Sequence, residues 1–270
     1  MDIRPILFID SGIGGLTYCK DFLKRNPHEE IFYLADRENF PYGQRKKDEI
    51  SSILTALIEK ILKAANPKII VLACNSATVS SIEQLRRHFP NIPFVGTVPA
   101  IKPAANASRS GKVGVLGTAR TIEDPYNQNL ADECEKRCKI IGIAAPDLVE
   151  FVEERFDSAT KKEKKEIVKK YIDIFRAEGA DTLVLGCTHF LSLLKEFKKG
   201  AFPFIKIFSS LDGVTKRIEY LLDENSGALR AEKSFKPVNR LVLTGQGSAK
   251  TSWKSRAKEL GFDLYLSDEL

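Results

Sequence analysis

Two cysteines of this chain stand in almost the same setting. Cys74 lies in "IVLACNSATV" (70–79) and Cys187 in "LVLGCTHFL" (183–191), 187−74 = 113 residues apart. Each follows an apolar run and one small residue, and each precedes polar residues that open a helical pattern. A free thiol titrates at about pH 8.5, and a helix N-terminus or a cationic neighbour lowers that value. One thiolate and one thiol therefore form an acid–base pair of matched strength. Held on opposite faces of a stereocentre, the pair can take a proton from one face and return one to the other. That is racemisation or epimerisation, and it calls for no cofactor and no metal. A carbon acid is far weaker than a thiol, so the carbanion needs hydrogen bonds to its carboxylate and shelter from water. Ser11 and the backbone of "DSGIGGLT" (10–17), Asn75 and Ser76 after one thiol, Thr188 after the other, and Thr118 are the candidate donors. Asp10 is a candidate acceptor for a substrate ammonium or a helper of Cys74, and His189 a helper of Cys187.

The elements that must hold these residues follow from the apolar pattern. Strands are predicted at 4–10, 30–35, 68–73, 93–97, 112–117, 139–144, 181–186, 204–209 and 240–244. Amphipathic stretches separate them. The clearest runs over 46–66, where Ile50, Ile53, Leu54, Leu57, Ile58, Ile61 and Leu62 share one helical face. Near-continuous apolar strands alternating with helices predict parallel sheets covered on both sides, an α/β fold. The cysteine strands each come third in a set. With Asp10 and Thr118 taken as the ends of the first strands, the intervals are 74−10 = 64 and 187−118 = 69 residues, which reads as an internal duplication. Two doubly wound, pseudo-symmetric parallel-sheet domains are expected, with the active site in the cleft between them, since open α/β sheets bind ligands at the carboxyl ends of their strands.

Composition sets the limits. The chain has 270 residues, 43% hydrophobic and 29% charged, with a formal net charge of +6. No apolar run is long enough to span a bilayer, and the first residues lack the pattern of a signal peptide. With five cysteines and no export signal, free thiols in a cytoplasmic, reducing compartment are expected. Cys134 and Cys138 in "DECEKRC" are expected on a surface helix. The basic run 161–171, "KKEKKEIVKKY", reads as a solvated helix face, with a nucleic acid or an acidic partner as the competing reading. Several near-motifs fail on a single residue. "GIGGLT" has Thr17 where a dinucleotide fingerprint has glycine, and "GQGSAKTS" (245–252) has Ala249 where a phosphate loop has glycine. Cys187 and His189 alone are too few ligands for zinc, and a set would just suffice only if Cys74 joined them; no metal is expected. No Cys-x-x-Cys unit marks a redox pair. Core filling would explain one such cysteine more easily than two in matched contexts.

Taken together, "DSGIGGLT", "PYG" (41–43), "ACNSAT" (73–78) and "LGCTH" (185–189) resemble the glutamate racemases of the aspartate/glutamate racemase superfamily. The likeness runs from about residue 7 to the last predicted strand and helix. It implies cofactor-independent interconversion of L- and D-glutamate, with D-glutamate going to peptidoglycan and so to cell-wall biogenesis and cell shape. It implies a cytoplasmic homodimer with no nucleic-acid or membrane partner. By motif, Cys74 resembles the base that acts on D-glutamate and Cys187 the base that acts on L-glutamate. Asp10 and His189 resemble their helpers, and Glu153 in "DLVEFVEE" an assisting acid. Ser11, Pro41, Tyr42, Gly43, Asn75, Ser76, Thr118, Thr121 and Thr188 fall where the family contacts substrate. The same likeness implies a first domain of residues 1–97 plus 211–270 and a second of 98–210. It also implies no long N-terminal sensing extension, since only nine residues precede Asp10. Departures are Ser76 for threonine, a missing proline in "THFLS", Ser209 for an acid and Asp124 for serine. The alternatives are a related racemase for aspartate or another small acid, and a non-catalytic amino-acid-binding protein.

Overall fold

The computed structural model describes residues 2–123, 138–224, 228–246 and 249–267. Asp124 and Cys134 lie outside the described residues. The chain divides into two compact units, Met1–Thr97 with Leu211–Leu270, and Val98–Ser210.

The first unit holds β1 (Ile6–Asp10), β2 (Ile31–Ala35), β3 (Ile69–Leu72), β4 (Phe94–Gly96), β9 (Arg240–Leu243) and β10 (Asp263–Leu266). They form one sheet in the order β10-β9-β2-β1-β3-β4, with every pairing parallel. Its helices are α1 (Leu16–Arg25), α2 (Lys47–Ala65), α3 (Asn75–His88), α9 (Leu211–Asp223) and α10 (Thr251–Leu260). Strands β1, β2 and β3 are buried along their whole length, as expected of strands covered on both faces. Helix α2 buries Ile50, Leu54, Ile58 and Ile61, the stripe that periodicity marks. It stops at Asn66, which takes the left-handed conformation at φ 42°.

The second unit holds β5 (Lys112–Gly117), β6 (Lys139–Ala144), β7 (Thr182–Leu185) and β8 (Lys206–Ser209), again all parallel, in the order β6-β5-β7-β8. Its helices are α4 (Ile101–Ala107), α5 (Ala119–Glu123), α6 (Pro146–Glu150), α7 (Lys161–Ala177) and α8 (Leu194–Ala201). Helix α7 starts at a capping box. The Glu163 N–H donates to Thr160 Oγ1 at 3.2 Å, and the Thr160 N–H donates to a Glu163 carboxylate oxygen at 2.8 Å.

The order β6-β5-β7-β8 repeats β2-β1-β3-β4. In each unit the chain leaves the first strand toward one side and returns on the other, which opens a switch point at the carboxyl ends of the first and third strands. Three expectations need correction. The repeat is offset by one residue: Asp36 N–H donates to Asp10 O at 2.8 Å, and Ala145 N–H to Gly117 O at 2.9 Å. Asp10 therefore corresponds to Gly117, and Ser11 to Thr118. Cys138 is buried just ahead of β6, its thiol 3.5 Å from Ala105 O, and not on a surface helix. Finally, β10 is a tenth strand.

Candidate active site

Both flagged cysteines sit at the switch points of their own units. In the first, Ala73 N–H bonds Ile9 O at 2.8 Å, and in the second Gly186 N–H bonds Leu116 O at 2.7 Å. This shared bond fixes the small residue of each motif beside the first strand and places the cysteine one step beyond the sheet. Both cysteines have extended backbones and are nearly buried, 8% exposed for Cys74 and 6% for Cys187.

Cys74 precedes α3, a helix of 14 residues whose first N–H groups point back toward it. On the neighbouring strand, the fully buried Asp10 carboxylate accepts the N–H groups of Ser11 and Gly15, each at 2.7 Å. The close turn after Asp10 needs glycine. A Cβ on Gly15 would meet Tyr33 Oη at 2.8 Å and Ala73 Cβ at 2.9 Å. Tyr33 also donates to Gly12 O at 2.7 Å, which anchors the other side of the turn. Asn75 and Ser76 begin α3 and are buried. Asn75 Nδ2 has no hydrogen-bond partner among the described residues. An orphaned buried amide donor is unusual, and it fits an anion that arrives with a ligand.

The segment with Pro41, Tyr42 and Gly43 is tied to the same sheet edge through a residue that motif reasoning missed. Asp36, fully buried at the end of β2, accepts from Tyr42 Oη at 2.6 Å, from Asn39 Nδ2 at 3.0 Å and from Thr244 Oγ1 at 2.7 Å. Burial pushes the Tyr42 phenol well up, and the Asp36 carboxylate adds to this, so Tyr42 is a neutral donor. Thr244 is 208 positions away in sequence, so only the acid at the strand end was visible.

Cys187 leads into a different element. Residues Thr188–Leu193 form a 3-10 segment, and α8 begins only at Leu194. The expected α-helical start is therefore corrected. Thr188, His189, Phe190, Leu191 and Leu193 are all buried, so the segment packs on every side and takes the tighter turn. That turn brings His189 Nδ1 to 3.7 Å from Cys187 Sγ, while His189 Nε2 lies 2.6 Å from Glu153 Oε1. Glu153 comes from a π-helical turn, Phe151–Arg155, that continues α6. Burial alone would lower the His189 pKa. The hydrogen bonds to Cys187 and Glu153 and their charges outweigh it and hold the value well above the usual imidazole range. At neutral pH His189 is an imidazolium hydrogen-bonded to the Glu153 carboxylate. Nearby, Thr121 is buried and Thr118 is partly exposed. The Thr118 and Thr121 hydroxyls lie 3.0 Å apart, and the Thr121 N–H donates to Thr118 Oγ1 at 3.1 Å.

Each predicted site residue thus falls at the carboxyl edge of one sheet or beside its cysteine. Asp10, Ser11, Tyr42, Cys74, Asn75 and Ser76 gather in the first unit, and Thr118, Thr121, Glu153, Cys187, Thr188 and His189 in the second. The two doubly wound units thus share one topology, and each carries a cysteine at its switch point. Residues 18–211 match the model of the Asp/Glu/hydantoin racemase family, and the chain belongs to that family. It is 37% identical to the glutamate racemase of Roseiflexus sp. (strain RS-1) over 90% of this chain and 88% of that one. It is 31% identical to that of Bartonella quintana over 98% and 97%. Among solved structures it resembles Escherichia coli glutamate racemase, crystallised with L-glutamate and an activator (TM-score 0.85, 26% identity, 97% of both chains). It also resembles a Bacillus anthracis glutamate racemase (TM-score 0.80, 29% identity, 98% and 96%).

Proposed function

We propose that this chain racemises glutamate by proton transfer between two cysteines, and that its two compact units are its two domains. The observation that carries the reading is the matched pair of cysteines, each one residue past the same backbone bond in its unit. Likeness to glutamate racemases over nearly the whole chain supports glutamate as the substrate. In the L-to-D direction, the Cys187 thiolate, paired with the His189 imidazolium, takes the α-proton. The Cys74 thiol then returns a proton to the opposite face. The reverse direction exchanges their roles. Asn75 Nδ2, which lacks a protein acceptor, donates to the substrate carboxylate and holds charge as the carbanion forms. Ser11, Ser76, Thr118, Thr121 and Thr188 supply further hydroxyls, and the Pro41–Gly43 segment shapes the pocket. We read the product D-glutamate as a precursor for peptidoglycan and the protein as a cytoplasmic homodimer. Among the described residues no helix is long and apolar enough to cross a membrane.

The test is a circular-dichroism racemisation assay on L- and D-glutamate without added cofactor or metal. In heavy water the enzyme incorporates deuterium at the α-carbon, and Cys74→Ala and Cys187→Ala each abolish racemisation. Turnover that survives either substitution refutes the two-base scheme, and binding without α-proton exchange makes the chain a binding protein.

A further inference from the structure

The segment that carries Pro41, Tyr42 and Gly43 has little of its own to hold it in place. Tyr42–Gln44 is one short 3-10 turn, closed by the Gln44 N–H on Pro41 O at 3.2 Å and the Arg45 N–H on Tyr42 O at 3.1 Å. A turn of this length is not stable by itself, so its position is set by what its side chains reach. Tyr42 is the peg. Its ring is fully buried in the cluster that also holds Leu34, Leu72 and Cys74. Apolar packing is non-directional, so the depth and tilt of the ring are set by its hydroxyl, which donates to Asp36 Oδ2 at 2.6 Å.

Asp36 must itself be held for the peg to be fixed. Asn39 Nδ2 donates to both of its carboxylate oxygens, at 3.1 and 3.0 Å, and Thr244 Oγ1 donates to Oδ1 at 2.7 Å. Asn39 and Tyr42 belong to the loop that Asp36 anchors, so they move with it. Thr244 does not. It follows β9, and its N–H bonds Ala35 O at 3.0 Å, continuing the parallel pairing of β9 with β2. Arg37 closes on the same point, with Nε donating to Thr244 O at 3.0 Å and Nη2 to Gly245 O at 3.3 Å. The direction of the chain of bonds is set as well. The Glu38 N–H donates to Thr244 Oγ1 at 3.1 Å, and the single hydroxyl proton goes on to Asp36. The Asp36 N–H in turn donates to Asp10 O at 2.8 Å, which ties this anchor to the end of β1. We propose that Thr244 is a positioning residue for glutamate: through Asp36 it sets the Tyr42 peg, and with it the Pro41–Gly43 backbone that meets the substrate. This rests on the proposed function in taking glutamate as the molecule that the segment contacts.

The test compares Thr244→Val, which keeps the shape and loses the hydroxyl, with Thr244→Ser, which keeps the hydroxyl. KM and kcat are read for L- and D-glutamate by circular dichroism, and the Kd for D-glutamate by calorimetry. Loss of a buried hydrogen bond to a carboxylate is worth about tenfold. Thr244→Val should raise KM and Kd by about that factor and leave kcat within about threefold of wild type. Thr244→Ser should bring KM and Kd back to within about threefold of wild type. A loss of global stability gives no such split, because the molecules that remain folded bind as before and only the apparent kcat falls. Tyr42→Phe removes the other end of the chain of bonds, and Thr244→Val/Tyr42→Phe should bind no worse than the weaker single variant. The proposal is overturned by unchanged KM and Kd in Thr244→Val, by equal impairment in Thr244→Ser, or by additive losses in the double variant. A wild type that binds D-glutamate without turnover ends the racemase reading alone, and the Kd values then decide this proposal. A wild type that neither binds nor turns over glutamate ends both.

Discussion

In the proposed reaction Glu153 acts through His189, and that gives its removal a calculable effect. The Glu153–His189 contact is 2.6 Å long, and the two side chains are 10% and 5% exposed. A buried hydrogen bond to a charged group contributes about 1.5–3 kcal/mol, which converts to roughly 10- to 150-fold in a rate or equilibrium. Glu153→Gln keeps the shape and one hydrogen bond but removes the charge that favours the imidazolium, so the loss falls toward the lower end. kcat/KM in the circular-dichroism assay should drop about tenfold or somewhat more. Because the equilibrium constant of racemisation is unity, it must drop by the same factor from L- and from D-glutamate. A cycle with His189→Gln isolates the coupling. The double variant should be no slower than His189→Gln alone, since Glu153 has nothing left to act on. Additive losses would refute the chain of influence from Glu153 through His189 to Cys187.

The His189 pair also sets a pH dependence. A group whose native pKa is raised lends stability that is fully present below its unfolded value of about 6.5 and is lost as pH climbs through the native value. The gap in urea midpoint between wild type and His189→Gln should therefore be widest in mild acid and close in alkali. Gly15→Ala should destabilise by about 1–3 kcal/mol by overpacking against Tyr33 and Ala73. Urea unfolding will measure that loss, and activity should fall with it because the Asp10 turn shifts. Lys68 is buried, with Nζ donating to Asp2 O at 2.7 Å and Leu229 O at 2.8 Å and paired with Glu29 at 2.7 Å. Lys68→Met leaves the Glu29 charge buried without its cation, and the midpoint should report a loss of about 3–5 kcal/mol.

How much of this could be read in the sequence depends on how locally each feature is encoded. Nine strands were legible because each is a short apolar run bounded by polar residues. The tenth, Asp263–Leu266, escaped because it is an edge strand of four residues with none fully buried. The cysteine repeat was legible as spacing, yet its register was not. Matching the hydroxyls of Ser11 and Thr118 is right, but Asp10 then pairs with Gly117, and a glycine gives no side chain to align. Asp36 and Thr244 meet across 208 positions, a contact that no local pattern marks.

In the proposed reaction, that offset of one residue also explains why the two cysteines have different helpers. A duplicated backbone offers the same position to both, the last residue of the first strand. In one unit it is Asp10, a carboxylate held by two N–H groups. In the other it is Gly117, where an added Cβ would come within 3.3 Å of the Ile122 and Thr121 side chains, tighter than ordinary contact. The second unit therefore recruits its acid from elsewhere, through His189 two residues beyond the cysteine and Glu153 on a π turn. A carboxylate beside one thiol and an imidazolium beside the other give the two sulfurs opposite electrostatic surroundings. In the proposed reaction, symmetric chemistry on a substrate with two mirror forms is thus run by two sulfurs in different surroundings. Asp10→Asn and His189→Gln should accordingly each slow racemisation, and full activity in either variant would contradict the helper assigned to that cysteine.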